Sequence, residues 1–152
     1  MQIKDIMTQE VISVDINTRV TEISQILTTY GIHGVPVINE NKIVVGIVTE
    51  SDFFIKEIPN LYLPTYINYL KNAEFVKNNS DEERVKIEKL IDARASDIMT
   101  RECTTVEEEL DVNGLIDIFR NKHFTTIPVV DKDRKLSGIV SVADIIRLVK
   151  SI

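Results

Sequence analysis

From residue 18 to residue 30 the apolar side chains Val20, Ile23, Ile26, Leu27 and Tyr30 recur every three or four positions. Thr21, Glu22, Ser24 and Gln25 fill the other face, which is the pattern of an amphipathic helix. Gly31 follows where a helix C-terminus favours a left-handed residue. Ahead of this helix, residues 11–14 (Val-Ile-Ser-Val) form a short β-branched run that reads as a strand. Behind it, residues 35–38 predict a second strand, with Pro36 at its start, where a missing N–H is tolerated. Residues 39–42 are turn-forming, and the nearly continuous apolar run 43–49 predicts a strand covered on both faces. A further helix is expected from Ser51 or Asp52 through Lys56.

The same order, strand-helix-strand-strand-helix, returns over residues 96–150. The short strand is 104–106, and Val112, Leu115, Ile116 and Phe119 form the helical stripe. Residues 127–130 and 136–141 are paired strands, joined by a charged, solvated turn at 131–134, and 144–149 is the closing helix. One offset of 92 residues relates three landmarks without a gap. Asp5-Ile6-Met7-Thr8 becomes Asp97-Ile98-Met99-Thr100, Val35-Pro36-Val37 becomes Ile127-Pro128-Val129, and the stretch Gly46 to Asp52 becomes Gly138 to Asp144. An internal repeat of this kind defines the architecture. Each copy has only about fifty-five residues, marginal for an independent core, so the two are expected to pack sheet against sheet as one unit. The expected division is a first repeat over 1–58, a helical connector over 59–94 and a second repeat over 95–152, in an α/β (α+β) fold.

The connector matches neither copy. Pro59 and Pro64 punctuate its start, and Tyr62, Tyr66 and Tyr69 cluster with Leu61, Leu63, Ile67 and Leu70. Ser80 followed by Glu83 resembles a helix N-terminus, with a weaker stripe of Val85, Ile87, Leu90 and Ile91 beyond. Two readings stand: a helical strap lying over the core, or an aromatic surface for assembly or a partner.

Composition narrows the function. The chain has 152 residues, an apolar fraction of 43% and a net charge of −6. That sign disfavours nucleic acid, which requires a basic face. No apolar run approaches the roughly 18 residues needed to cross a bilayer, and the first residues lack a signal-peptide pattern. Cys103 stands alone, so no internal disulfide can form, which fits a reducing cytoplasm. It corresponds to Val11 in the first copy and reads as a small buried hydrophobe. The two histidines and one cysteine give no metal-site or nucleophile-and-base spacing, and no phosphate-binding glycine loop is present. Neither an enzyme nor a metal site is expected, and Glu107-Glu108-Glu109 reads as a solvated helix start.

The chemistry concentrates in the repeated Gly-Ile-Val-[Thr/Ser]-x-x-Asp. Thr49 with Asp52, and Ser141 with Asp144, stand at strand-to-helix junctions. An ionised Asp can accept from both hydroxyls of a ribose, a nearby hydroxyl can bond ribose or phosphate, and a helix N-terminus suits an anion. The same spacing is close to a capping box, so the residues could simply start the helix. Both roles stay open, and they are compatible.

Taken together, two in-register copies of Asp-Ile-Met-Thr, apolar-Pro-apolar and Gly-Ile-Val-[Thr/Ser]-x-x-Asp resemble a tandem pair of cystathionine β-synthase (CBS) domains, also called a Bateman module. The resemblance implies clefts between the repeats that bind an adenosine-containing ligand (AMP, ADP or ATP, with S-adenosylmethionine less favoured) and no obligatory cofactor. It implies that the groups around Ile12 and Thr104 hold the adenine edge, and that Val35, Pro36, Ile127 and Pro128 wall it together with Ile47 and Ile139. Thr49, Asp52, Ser141 and Asp144 would meet the ribose and phosphate. Family members often carry a basic residue before the apolar-Pro pair. Here that place holds His33-Gly34 in one copy and Thr125-Thr126 in the other, with Lys122 and His123 slightly earlier and no Arg at either, which favours AMP, ADP or a less charged derivative over a triphosphate. The resemblance further implies a cytoplasmic homodimer regulating an unidentified protein. The competing expectation is an interaction scaffold with empty clefts that assembles through the connector.

Overall fold

The structure is a computed structural model that describes residues 1–53 and 93–150. The connector and the expected helix beyond Phe53 lie outside the described residues. After a single 3-10 turn at Ile3–Asp5, the first copy runs β1 (Val14–Asp15), α1 (Val20–Tyr30), β2 (Gly34–Ile38), β3 (Val44–Thr49) and a 3-10 turn at Glu50–Phe53. The second runs α2 (Ala95–Ile98), β4 (Thr100–Arg101), β5 (Val106–Glu107), α3 (Val112–Lys122), β6 (Thr126–Val130), β7 (Leu136–Ser141) and α4 (Val142–Lys150).

The helical periodicity translates directly into burial. α1 buries Val20, Ile23 and Leu27 against Val35, Val37 and Val48, while Tyr30, expected on the apolar stripe, is exposed. α3 buries Leu115 against Val106, Ile127, Val129 and Val140, with Ile118 and Phe119 packed partly on that cluster. Gly31 caps α1 at φ 61°. His123 takes the equivalent place after α3 at φ 54°, a left-handed conformation that disfavours a side chain.

The short strands are displaced from their expected positions. Residues 11–13 and 104–105 carry no strand; β1 and β5 begin at Val14 and Val106, because parallel pairing starts only at Val14↔Val37 and Val106↔Val129. Pro36 and Pro128 are third in their five-residue strands and not at the start. Each lies one residue before the parallel neighbour begins, which accommodates the missing donor.

The two copies exchange their opening segments. The first sheet has the order β1-β2-β3-β4, and its last strand comes from the second copy: Thr100 pairs with Ile47 and Arg101 with Gly46. In return Thr8 pairs with Ile139, each accepting from the other's N–H at 2.9 Å. The hydrogen bonds repeat across the offset as well. Ile3 N–H donates to Leu110 O at 2.9 Å, and Ala95 N–H donates to Thr18 O at 2.8 Å. Ile3 is fully buried in the second core, with Ile6 and Met7 beside it, while Ala93, Ala95, Ile98 and Met99 pack into the first. Core membership therefore crosses the sequence boundaries of the repeats.

This exchange gives a physical reason for two landmarks. A Cβ built on Gly46 would stand 2.8 Å from Met99 Sδ and 2.8 Å from Thr100 O, and one built on Gly138 would overlap Met7 Sδ. The glycine of one repeat is the seat of the methionine of the other.

Candidate functional site

Where the exchanged segments meet the strand ends, the two repeats enclose two clefts related by the same offset. One, of about 300 Å³, draws Thr8, Glu10, Val11 and Ile12 from the first opening segment, Gly31 to Gly34 from the loop after α1, and Ile139, Ser141, Asp144 and Arg147 from the end of β7 and α4. The other, of about 580 Å³, is lined by Thr100, Glu102, Cys103 and Thr104, by residues 123–126, and by Ile47, Thr49, Glu50 and Ser51.

At the start of α4, Asp144 is buried, 7% exposed. Its Oδ2 accepts from Ser141 N–H at 2.7 Å and from Ser141 Oγ–H at 2.8 Å, and its Oδ1 accepts from Arg147 Nη1 at 2.8 Å. The carboxylate at the third helical position thus caps the N-cap amide, which is half of a capping box. The hydroxyl does not complete the box, because it donates to the carboxylate. Asp52 repeats the arrangement more loosely: Oδ2 accepts from Thr49 N–H at 2.8 Å and from Thr49 Oγ1 at 3.4 Å, while Thr49 Oγ1 also lies 2.8 Å from Ser51 Oγ. Burial raises the Asp52 carboxyl above the usual carboxylate range, against the lowering effect of the two Thr49 hydrogen bonds.

Of the residues singled out from sequence, Ile12, Ile139, Ser141 and Asp144 come together on the smaller cleft. Ile47, Thr49, Thr104 and Thr125 come together on the larger. His33 borders both, with Nδ1 3.1 Å from Glu50 Oε1. Asp52 is half-buried behind Thr49 and lines neither cleft. Val35 and Ile127 line neither of these clefts. Strand alternation turns both into the repeat cores, where they are 0% and 1% exposed. Pro36 and Pro128 pair directly with Ile47 and Ile139, yet are buried and also absent from the cleft walls.

Sequence reasoning missed Arg147, Glu10 and Glu102, and the threonines Thr8 and Thr100, whereas His123, noted ahead of the second apolar-Pro pair, does line the larger cleft. The signal was present: Arg147 is three residues beyond Asp144, a helical spacing that brings side chains together, and its counterpart in the first copy is Ile55. Cys103, expected as a buried hydrophobe, is half-buried on the larger cleft, and burial pushes its thiol pKa up. Among the described residues, no three of His, Cys, Asp and Glu are grouped so as to hold a metal ion.

Comparison with known proteins identifies the family. The chain is 27% identical over 148 residues to an uncharacterized protein of Methanopyrus kandleri, covering 97% of this chain and 62% of that one. It thus spans less than two thirds of that relative. Among solved structures, CBSX2 of Arabidopsis thaliana in complex with AMP superposes with a TM-score of 0.72 at 24% identity, over 99% of this chain and 96% of that one. The CBS domain pair of protein MJ0100, in complex with 5'-methylthioadenosine and S-adenosyl-L-methionine, superposes with a TM-score of 0.68 at 25% identity, over 98% and 99% of the two chains. The family model of the CBS domain matches twice, at residues 3–56 and 95–151. The chain belongs to the CBS domain family and carries two such domains in tandem.

Proposed function

We propose that the chain is a regulatory module that binds an adenosine-containing ligand, AMP, ADP or ATP, in the clefts between its repeats and passes the bound state to a partner protein. The observation that carries this reading is the composition of the smaller cleft. One wall holds a buried carboxylate and a hydroxyl at the N-terminus of α4, and the facing wall belongs to the other repeat. A carboxylate suits a ribose diol, and a helix N-terminus suits a phosphate. AMP bound by CBSX2, and 5'-methylthioadenosine and S-adenosyl-L-methionine bound by MJ0100, support the ligand class.

Regulation follows by linkage. A ligand that touches both repeats favours one relative arrangement of them, and it biases a partner by its differential affinity for the two arrangements. A homodimer is part of the proposal. Val142, Ile146 and Val149 form an apolar stripe on α4, with the latter two 62% and 70% exposed, and a second copy would cover it.

Thermal unfolding with AMP, ADP, ATP and S-adenosylmethionine tests the ligand reading. A ligand at about a hundred times its Kd stabilises by about 2.7 kcal/mol, or roughly 5–10 °C for a chain of this size. No shift with any of the four would refute it.

A further inference from the structure

We propose that Glu102 and His123 determine what the larger cleft binds: a carboxylate and an imidazole, held at strained backbone positions, that take the hydrogen-bonding groups of an adenosine ligand. This rests on the adenosine reading above and goes beyond it by naming the residues that select the ligand in that cleft.

The duplication supplies its own control. Among the described residues, four that are not glycine hold a left-handed φ: Lys42, Glu102, His123 and Arg134. Lys42 and Arg134 are equivalent under the 92-residue offset, and they sit in the turns that join β2 to β3 and β6 to β7. A left-handed residue that recurs in both copies is a requirement of the fold. The other two differ between the copies. His123 ends α3 at φ 54°, but its equivalent is Gly31 at φ 61°, so the fold needs the conformation and not the side chain. Glu102 has a φ of 48°, but its equivalent Glu10 carries the same side chain without a positive φ. That difference arises one residue earlier. Arg101 extends β4 by pairing with Gly46, whereas only Thr8 pairs in the first copy, and the chain turns at Glu102 as it leaves the longer strand.

A glycine would satisfy both positions without a side chain's conformational penalty. Instead both positions carry long polar side chains, and both fall on the same cleft, beside Cys103 and Thr104. Strained backbone clusters at ligand clamps. Each of the two side chains is exposed and makes no hydrogen bond or ion pair with another described residue. A carboxylate accepts from N–H and O–H donors, and a neutral imidazole donates at one nitrogen and accepts at the other. Adenosine presents such groups on its exocyclic amine, its ring nitrogens and its ribose hydroxyls.

Stability and binding are therefore expected to move in opposite directions when the strain is removed. Cys103 is the chain's single cysteine and lines the larger cleft, so slower alkylation by iodoacetamide as ligand is added reports on that cleft. The probes are adenosine and AMP, and each variant is compared with its own unliganded rate. Glu102→Gly and His123→Gly should each raise Tm by up to about 4 °C. Each should also need about tenfold more of whichever probe protects the wild type, the loss of one hydrogen bond to the ligand. Glu102→Gln and His123→Asn keep a hydrogen-bonding side chain and should recover part of that loss. A raised Tm with unchanged protection would overturn the assignment, because the side chain would then do nothing for the ligand. A lowered Tm with weakened protection would overturn it as well, since the residue would then be supporting the fold. No protection of the wild type by either probe would overturn the adenosine reading itself.

Discussion

Replacing either seat glycine by alanine separates a contact with a flexible side chain from one with rigid backbone. Neither Gly46 nor Gly138 has a positive φ, so alanine is conformationally acceptable at both. The new methyl group decides the outcome. At Gly138 its nearest neighbours are Met7 Sδ, Cγ and Cε, an unbranched side chain that can rotate away. At Gly46 it meets Met99 Sδ and also Thr100 O, each at 2.8 Å. That carbonyl belongs to β4, which is held in register by Thr100↔Ile47 and Arg101↔Gly46. Overpacking costs about 1–3 kcal/mol. Gly138→Ala should therefore fall near 1 kcal/mol and Gly46→Ala near 3, or roughly 2–4 °C and 6–12 °C in Tm. Truncating the methionine distinguishes them further. Met7→Ala should relieve most of the Gly138→Ala clash, giving a favourable coupling of at least about 0.5 kcal/mol in a double-mutant cycle. Met99→Ala should relieve Gly46→Ala much less, because the carbonyl stays in place. Urea unfolding of the two cycles supplies the energies. Strict additivity of Met7→Ala with Gly138→Ala would refute the exchange of the opening segments, since residues 7 and 138 would then share no contact.

Two further substitutions address single residues. Burial raises the folded-state pKa of Asp52, so its contribution to stability is most favourable below the unfolded value and is lost as pH rises through the folded one. Asp52→Asn, which keeps an oxygen for Thr49 N–H, should match or exceed the wild-type Tm at neutral pH, with the advantage shrinking as pH falls towards about 4; a loss of several degrees at neutral pH would show that the hydrogen bond outweighs burial. His123 holds a left-handed φ of 54° where the first copy has Gly31. His123→Gly should gain up to about 1 kcal/mol, the difference between relieved strain and the added chain entropy of glycine, and an unchanged or lower midpoint in urea would refute that balance.

The local elements were legible in the sequence because their signals are local. A 3.6-residue stripe with Gly31 after it can hardly be anything but α1, and an offset without gaps carries that assignment to α3. The exchange was not legible. Ile3 and Ala95 open the two copies at equivalent positions, and nothing in a linear repeat says whether an opening segment packs on its own copy or on the other. Only the pairing of two otherwise separate signals, a glycine in β3 or β7 and a methionine in the opposite opening segment, encodes it. The clefts were legible in half. Residues before and after a strand, such as Ile12 and Ser141, line the smaller cleft because of the junctions they occupy. Val35 and Ile127 were misplaced because an apolar-Pro-apolar run does not reveal which of its alternating faces is the core. Arg147 was overlooked because basic residues were sought only ahead of the apolar-Pro pair, whereas the helix delivers one from behind the aspartate.

The exchange also bears on how a cleft could report its occupancy. Thr8 and Thr100 each line a cleft, and each is hydrogen-bonded or paired to the strand of the opposite repeat, at Ile139 and Ile47. On the other side of that pairing, the same opening segments carry Ile3 and Ala95 into the opposite cores, both fully buried. Residues 8–12 therefore run between Thr8, held by the second repeat, and Val14, paired with Val37 in the first sheet. Close-packed cores do not deform continuously, so such a segment moves as a unit with the core that holds it. His33 and Thr126 border both clefts, which makes the wall between them common to the two sites. The linings of the two clefts are thus continuous through that wall and through the exchanged segments. Two copies that trade their first residues share backbone hydrogen bonds and core side chains, so displacing one disturbs contacts of the other.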